Sequence, residues 1–421
     1  MLRPIESAPC HGERTILPRR IVGLHSVLLA VSSPLLCAAM CGAQNGALPE
    51  DTRQTALVLE QQGRDADSEA AWRSYLESHP ASSEAYAHLG LLEARQQHYK
   101  EAVPLYRKAL ALHSAIPGLR LNLALALFKD GDMQAALQEF TPLLKAAPKS
   151  SPEHQRLTIL AGMCHYGLRD YAKAVPYLRE AASADPRNLP LRLALAHSCL
   201  WSKQYECVLD TYKEILSLDA DSAEADMLAG EALDGLKDTT GAIEQFRAAV
   251  KADPKMPDVH FGLGYLLWSK RQFAEAVPEF QAELDNNPQH AQAATYLADA
   301  DLHLGHPEEA LPLLKSAIRI DPAIELAHLD LGQIEADAGR REDALRELET
   351  AAKIAPNDVD VHWRLGRLYK ATGNPQQAKA EFDKAKSITE AADTALVNKM
   401  TPPSATLPSS AEAQTSPSIG K

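Results

Sequence analysis

Small and large apolar residues recur in a fixed order along most of the chain, with a period of 34 residues. Each period has one position that is always Gly or Ala, then a residue that is usually alanine, and four positions later a large apolar residue. A spacing of four places the last two on the same face of a helix. Each period is therefore predicted to hold two helices, a small residue on the first facing a large one on the second.

The pattern repeats in phase ten times, with one four-residue insertion, Ser151 to His154. Its Gly or Ala position is occupied by Ala56, Gly90, Ala124, Gly162, Ala196, Gly230, Gly264, Ala298, Gly332 and Gly366. Its large position is occupied by Trp72, Tyr106, Phe140, Leu178, Tyr212, Phe246, Phe280, Leu314, Leu348 and Phe382. Between the two helices, glycines at 63, 131, 305, 339 and 373 are suited to a left-handed turn. Since one helical hairpin cannot bury both of its faces, the hairpins are predicted to stack on one another.

These residues make the chain similar to the tetratricopeptide repeat (TPR) family, whose 34-residue pattern is W-x2-L-G-x2-Y, then A-x3-F, then P. Leu89-Gly90 and the run Leu365 to Tyr369 follow it closely. The resemblance implies an all-α fold, a right-handed α-solenoid of about ten 34-residue helix-turn-helix repeats over residues 49–392. The expected repeat starts lie near residues 49, 83, 117, 155, 189, 223, 257, 291, 325 and 359.

Residues 1–43 have the pattern of a secretory signal: arginines, the apolar run Ile21 to Met40, then small residues up to Ala43. Cleavage after Ala43 would leave residues 44–48 as a short leader. The alternative is an uncleaved inner-membrane anchor, since about twenty residues can just span a bilayer, although Pro34 disfavours it. We expect an exported protein, periplasmic or secreted.

Residues 393–421 are expected to form a helix extension followed by a disordered tail rich in Pro and Ser, because that composition cannot bury enough apolar surface to order itself. The formal net charge of the whole chain is −13. This acidic balance argues against nucleic-acid binding, which needs Lys and Arg to neutralise phosphates.

Three cysteines lie beyond the signal: Cys164, Cys199 and Cys207. They form no CxxC pair and have no histidine partners at zinc spacing. One disulfide is compatible with an oxidising compartment, but we expect each cysteine to be a small buried hydrophobe. Histidines 260, 328 and 362 occupy the tryptophan position of the family pattern. They lie about a repeat apart, too far for a shared metal ion, and are interpreted as packing residues.

The sequence contains no HExxH, GxSxG or Walker motif, and Gly262 and Gly264 fall inside a helical pattern. We therefore expect no catalysis, no cofactor and no metal; an enzyme without a local motif is the third alternative. The clamp by which some family members bind chaperone tails needs basic and asparagine residues where this chain has Ala87, Leu91 and Leu121. That partner is not expected.

Positions 5, 9 and 12 of each first helix form one stripe, which lines the concave face in the family. In repeats 3 to 7 this stripe is mostly apolar or aromatic, which predicts a groove for a protein or peptide partner. The candidate partner-binding residues are Leu121, Phe128, Met163, Tyr166, Leu193, Trp201, Phe261, Tyr265 and Trp268. The alternatives are a tightly wound superhelix that buries part of the stripe, and a structural assembly subunit of an envelope complex.

Overall fold

The computed structural model of the protein describes residues 49–113 and 116–400, and these residues form twenty α-helices without a strand. The expected all-α repeat fold is confirmed. The predicted signal (residues 1–43), the leader (44–48) and the tail beyond residue 400 lie outside the described residues. Within the described ranges, no helix is both long enough and apolar enough to cross a bilayer.

The described residues fall into two compact units, divided between Asp221 and Ser222. Each unit consists of five helix pairs. The upstream unit contains α1 (Pro49–Gln61), α2 (Asp65–Ser78), α3 (Ser83–Arg95), α4 (Tyr99–Leu112), α5 (Leu119–Asp130), α6 (Met133–Ala146), α7 (Pro152–Gly167), α8 (Tyr171–Ala184), α9 (Leu189–Trp201) and α10 (Tyr205–Leu216). The downstream unit contains α11 (Ala223–Gly235), α12 (Thr239–Ala252), α13 (Val259–Ser269), α14 (Phe273–Asn286), α15 (Ala291–Leu304), α16 (Pro307–Ile320), α17 (Glu325–Asp337), α18 (Arg341–Ile354), α19 (Val359–Ala371) and α20 (Pro375–Met400).

The first helices begin close to the repeat starts expected from the sequence. The largest difference is at the fourth repeat, where α7 begins at Pro152 although residue 155 was expected. There the Ser151 hydroxyl accepts a hydrogen bond from the backbone N–H of His154 at 3.1 Å. This N-cap, with proline at the first helical position, starts the helix inside the inserted residues.

The two helices of a repeat approach closely because of the small residue on the first. A methyl group on Gly264 would lie 2.8 Å from the ring of Phe280, and one on Gly90 would lie 2.8 Å from the ring of Tyr106. Real side chains essentially never come so close, so only glycine allows these rings to pack there. Both rings are fully buried. The small-to-large pairing predicted from the sequence is confirmed in both units.

The turn within each repeat contains one residue in the left-handed region, where a side chain is strained. The five glycines predicted for this role have φ between 70° and 90°. In the other five repeats the same turn position is occupied by residues with side chains, at φ between 58° and 69°: Gln97, Arg169, Lys203, Lys237 and Arg271. The turn geometry is thus imposed by the packing of the two helices even where the sequence lacks glycine.

Candidate functional site

The upstream part of the stripe lies on α5, α7 and α9. Leu121, Phe128, Met163, Tyr166 and Leu193 are all half-buried, each on a helix that also carries fully buried residues. One side of each side chain therefore packs on the core, and the other remains accessible. This partial exposure is what a binding surface requires.

Four rings meet at the end of the upstream stripe, and we call them the upstream aromatic cluster: Tyr166, Tyr171, His197 and Trp201. The Trp201 ring lies 4.5 Å from Tyr171, 5.3 Å from His197 and 6.3 Å from Tyr166, measured between centroids. Trp201 is 43% exposed, although it is the last residue of a well-packed helix. Sequence reasoning missed Tyr171 because it begins the second helix of its repeat and so lies off the stripe.

A disulfide bond joins Cys199 of α9 to Cys207 of α10, with 5.8 Å between the two Cα atoms. The expectation that these two cysteines are isolated hydrophobes is wrong, since the tight turn within the repeat brings both side chains together. The bridge encloses the turn that carries Trp201. Cys164 is free and buried, as expected, and burial raises the pKa of its thiol to about 12.

The downstream part of the stripe differs from the prediction at Phe261, which is only 5% exposed. Its ring lies 4.7 Å from the ring of His290 and 6.1 Å from that of Phe280, so it belongs to the core and not to an open surface. Tyr265 and Trp268, one and two turns later, are half-buried. The first position of the stripe is covered here because the following repeat packs His290 against it.

Three rings form the downstream aromatic cluster: Tyr265, Trp268 and Tyr296. Their centroids lie 5.8 Å (Tyr265 to Trp268), 5.3 Å (Tyr265 to Tyr296) and 4.8 Å (Trp268 to Tyr296) apart. The indole N–H of Trp268 donates a hydrogen bond to the Asp299 carboxylate at 2.5 Å. Tyr296 and Asp299 come from the next repeat, and the sequence pattern did not single them out.

The carboxyl groups of Asp299, Asp330 and Glu325 lie near one another, with little positive charge around them. Asp330 is only 3% exposed, and one of its oxygens, Oδ2, has no hydrogen-bond partner among the described residues. Burial and the adjacent Asp299 raise the pKa of Asp330 well above its ordinary value, with Arg364 opposing the shift. Burial, followed by repulsion from two aspartates of the next repeat, raises the pKa of Glu325 to about 7.

The three histidines interpreted as packing residues are buried, and each also contacts a glutamate 19 residues later. The Nδ1 to Oε2 distances are 2.7 Å for His260 and Glu279, 2.8 Å for His328 and Glu347, and 2.6 Å for His362 and Glu381. Arg120 and Glu139 occupy the same two repeat positions and lie 2.7 Å apart. These pairs join the first and second helix of one repeat, a structural role that the sequence analysis missed.

One group in the described residues has the side chains of a metal site: Asp258, Glu283 and His290 offer ligand atoms within 4.8 Å of one another. The Nδ1 atom of His290 accepts the backbone N–H of Ala293 at 3.0 Å, so the ring proton is on Nε2 and is donated to Asp258 at 3.0 Å. Glu283 accepts the backbone N–H groups of Asp258 and Phe261, each at 3.2 Å. The group therefore caps α13 and α15.

Several solved structures resemble parts of the chain at low sequence identity. The structure "YrrB: a TPR protein with an unusual peptide-binding site" is 20% identical, with a TM-score of 0.37, and the match covers 45% of this chain and 98% of that one. The crystal structure of MamA is 22% identical, with a TM-score of 0.35, over 39% of this chain and 96% of that one.

Among curated proteins, the BBSome complex member BBS4 from Bos taurus is 24% identical over 210 residues, which are 50% of this chain and 40% of that protein. The DnaJ protein P58IPK homolog A from Oryza sativa subsp. japonica is 24% identical over 264 residues, 58% of this chain and 50% of that protein. The chain thus spans half or less of the length of these two relatives.

Family models give a firmer result because they match most of the repeats. One tetratricopeptide repeat model matches residues 53–118, 120–188, 209–257 and 261–323, and a second matches residues 166–232 and 335–394. Together with the paired helices and the buried small-to-large contacts, these matches establish that the chain belongs to the tetratricopeptide repeat family.

Proposed function

We propose that this protein is an exported, non-catalytic scaffold that binds a segment of a protein partner along the stripe of its first helices. Proteins of this repeat type use such surfaces for protein or peptide partners. The observation that carries the proposal is the upstream aromatic cluster, where the large ring of Trp201 stays 43% exposed beside the half-buried rings of Tyr166 and Tyr171.

Aromatic side chains suit this role for a physical reason. They combine a large apolar area with few rotatable bonds, so they lose little entropy when a partner covers them, and a few of them usually dominate the affinity of an interface. The downstream aromatic cluster supplies a second group of such rings, Tyr265 and Trp268 on the stripe itself. Each of the two units thus carries its own group of rings suited to anchoring a peptide segment.

Two observations support export. The first 43 residues carry the charge and hydropathy order of a secretory signal. The Cys199–Cys207 disulfide is typical of proteins that fold outside the reducing cytosol. If the signal is cleaved as we propose, sequencing the N-terminus of the protein from its native compartment gives Gln44 as the first residue. An intact Met1 on protein extracted from the membrane would instead establish an anchor.

The partner and the surface are tested together by crosslinking. A photo-crosslinking residue is placed at Tyr166 or at Trp268, the protein is crosslinked in its native host, and the joined peptides are identified by mass spectrometry. The proposal predicts a partner segment joined at each of the two positions. Crosslinks only from the outer second helices or the tail would favour the alternative, a structural assembly subunit.

Alanine variants then separate binding from folding. We expect Tyr166→Ala, Tyr265→Ala and Trp268→Ala each to weaken partner binding by about 2 kcal/mol, or about thirtyfold. The melting temperature of the Tyr166 variant should change little, because its ring is partly exposed. Leu218→Ala, an apolar residue 40% exposed off the stripe, is the matched control and should leave binding unchanged. Large drops in melting temperature without loss of binding would mean that these rings belong to the core.

A further inference from the structure

Positive charge is missing from four of the five first helices of the downstream unit. The helices α11, α13, α15 and α17 contain no Lys or Arg at all. Their acidic residues are Glu224, Asp226, Glu231, Asp234, Asp299, Asp301, Glu325, Asp330, Glu335 and Asp337. Basic residues of this unit lie instead on the second helices, on α19 and α20, and in the turns and loops.

Some of these carboxylates are neutralised within the chain and others are poorly compensated. Glu335 is bound by the Arg340 guanidinium. Asp234, by contrast, is half-buried, and burial raises the pKa of its carboxyl, with only the charge of Lys237 opposing the shift. A carboxyl group held in such surroundings gains from a positive charge brought to it.

Asp330 is the most buried member of this acidic group, and its side chain is hydrogen-bonded to Asp299. Asp330 is 3% exposed, and its Oδ2 atom makes no hydrogen bond among the described residues. It faces Asp299 of α15, with Glu325 on its own helix and Arg364 on α19 as the other charged groups around it. Arg364 is already bound to Asp360 at 2.9 Å. Asp299 is 7% exposed, and the Nε2 atom of His303 lies 3.6 Å from its Oδ2 atom. A cation that reached Asp299 would add a permanent counter-charge to this pair of carboxyl groups.

The aromatic rings lie at the same place. The Trp268 indole is bonded to Asp299, and Tyr265 and Tyr296 pack against it, so aromatic faces and carboxylate oxygens are side by side. Arginine and lysine are the side chains that use both features at once, since they donate to a carboxylate while lying against an aromatic face. An apolar or acidic segment would leave these buried carboxylates without a counter-charge, which is energetically costly.

We propose that the first-helix face of the downstream unit binds a segment of the partner that is rich in lysine and arginine, with Asp299 beside Trp268 as the main contact and Asp234 as a second. This inference rests on the proposed function and specifies the chemistry of its partner. The attraction is electrostatic, so binding weakens as salt is raised.

The test uses the full chain and a fluorescein-labelled peptide of repeated Arg-Ala-Lys-Leu units, with binding followed by fluorescence anisotropy. A second peptide, in which citrulline replaces each Arg and acetyllysine each Lys, has nearly the same shape without the charge. We expect Asp299→Asn to weaken binding of the basic peptide by about tenfold or more, and Asp234→Asn to weaken it less. Asparagine keeps an oxygen that can accept the Trp268 N–H, so the fold should be retained, which circular dichroism checks.

Glu308→Gln is the matched control, because it removes the same charge from an exposed position on the second helix α16 and should change nothing. Equal affinity for the charged and the neutral peptide, or an equal effect of Glu308→Gln, would overturn the inference. The crosslinking experiment at Trp268 distinguishes the two proposals. A joined segment that is not basic refutes only the present inference, whereas no crosslinks from the first helices refute the proposed function as well.

Discussion

The first helices of the two units share the repeat phase and the small-to-large packing, yet they present different surfaces. Upstream, the stripe of α5, α7 and α9 is apolar, and these helices hold four basic residues against two acidic ones: Arg120, Lys129, Arg156 and Arg192 against Asp130 and Glu153. Downstream, α11, α13, α15 and α17 lack Lys and Arg, and aromatic rings on α13 and α15 lie beside carboxylates.

The difference lies at the stripe positions, where the 34-residue pattern does not restrict the type of residue. The core positions hold small residues facing large ones in both units, because the close approach of the two helices depends on them. The stripe positions contribute little to that contact, so their side chains can vary without loss of the fold. One scaffold can therefore carry an apolar surface in one half and an acidic, aromatic one in the other.

The largest expected effect compares one ring from each half. Phe261→Ala should destabilise the downstream unit by about 3 to 5 kcal/mol, since it empties a buried site. Trp201→Ala should cost about 1 kcal/mol, because 43% of that residue is already exposed to solvent in the folded state. Urea unfolding followed by circular dichroism measures both. Similar losses from the two variants would mean that the stripe has the same role in both halves.

The second prediction concerns the disulfide, which belongs to the upstream unit alone. Reduction should destabilise that unit by about 2 kcal/mol, because the short loop closed by the bridge regains freedom in the unfolded chain. Cys207→Ser should have the same effect and should make the protein insensitive to reductant. Thermal unfolding with and without dithiothreitol provides the measurement, and a reductant effect that persists in the variant would contradict it.

A third prediction uses the buried carboxyl groups of the downstream unit. The pKa of Asp330 is raised in the folded state, so its contribution to stability is fully present below about pH 4, its unfolded pKa, and is lost as pH rises through the folded pKa. Asp330→Asn should therefore match the wild type near pH 4 and be more stable at pH 8, by about 1.4 kcal/mol for each unit of pKa shift.

Unfolding in urea at both pH values tests this prediction. The exposed Glu342→Gln variant, on the neighbouring helix α18, is the control and should track the wild type at each pH. A stability difference between Asp330→Asn and the wild type that does not change with pH would show that ionisation of Asp330 is not its cause.

The smallest expected effect is the change in stability caused by glycine at the left-handed turn position, and it should be equal in the two units. Arg169 and Lys237 occupy the left-handed turn position at φ of 58° and 69°. Arg169→Gly and Lys237→Gly should each stabilise the protein by about 1 kcal/mol, because glycine adopts this conformation without strain. Thermal unfolding measures the gain, and Gly131→Ala should lose a similar amount. A gain in only one unit would imply that the turns are held differently in the two halves.

Sequence reasoning predicted the fold well and the candidate site only in part. The 34-residue period, the small-to-large pairs and the turn glycines depend on contacts inside one repeat, so they are visible as fixed spacings. Phe261 was placed on the surface by its phase, although His290 of the next repeat covers it. Tyr171 and Tyr296 were missed because a ring cluster draws on more than one helix, and no spacing within a helix reveals it.

The sequence by itself determined the number of repeats, the helices and the residues through which each pair of helices packs, because these are short-range relations that recur ten times. Only the tertiary structure decided which stripe residues are exposed, that Cys199 bonds to Cys207, and that one oxygen of Asp330 is buried without a hydrogen-bond partner among the described residues. Exposure, bonding and charge compensation depend on side chains that are brought together across turns and from neighbouring repeats. The spacing of residues along the sequence does not show which of these side chains come close to one another.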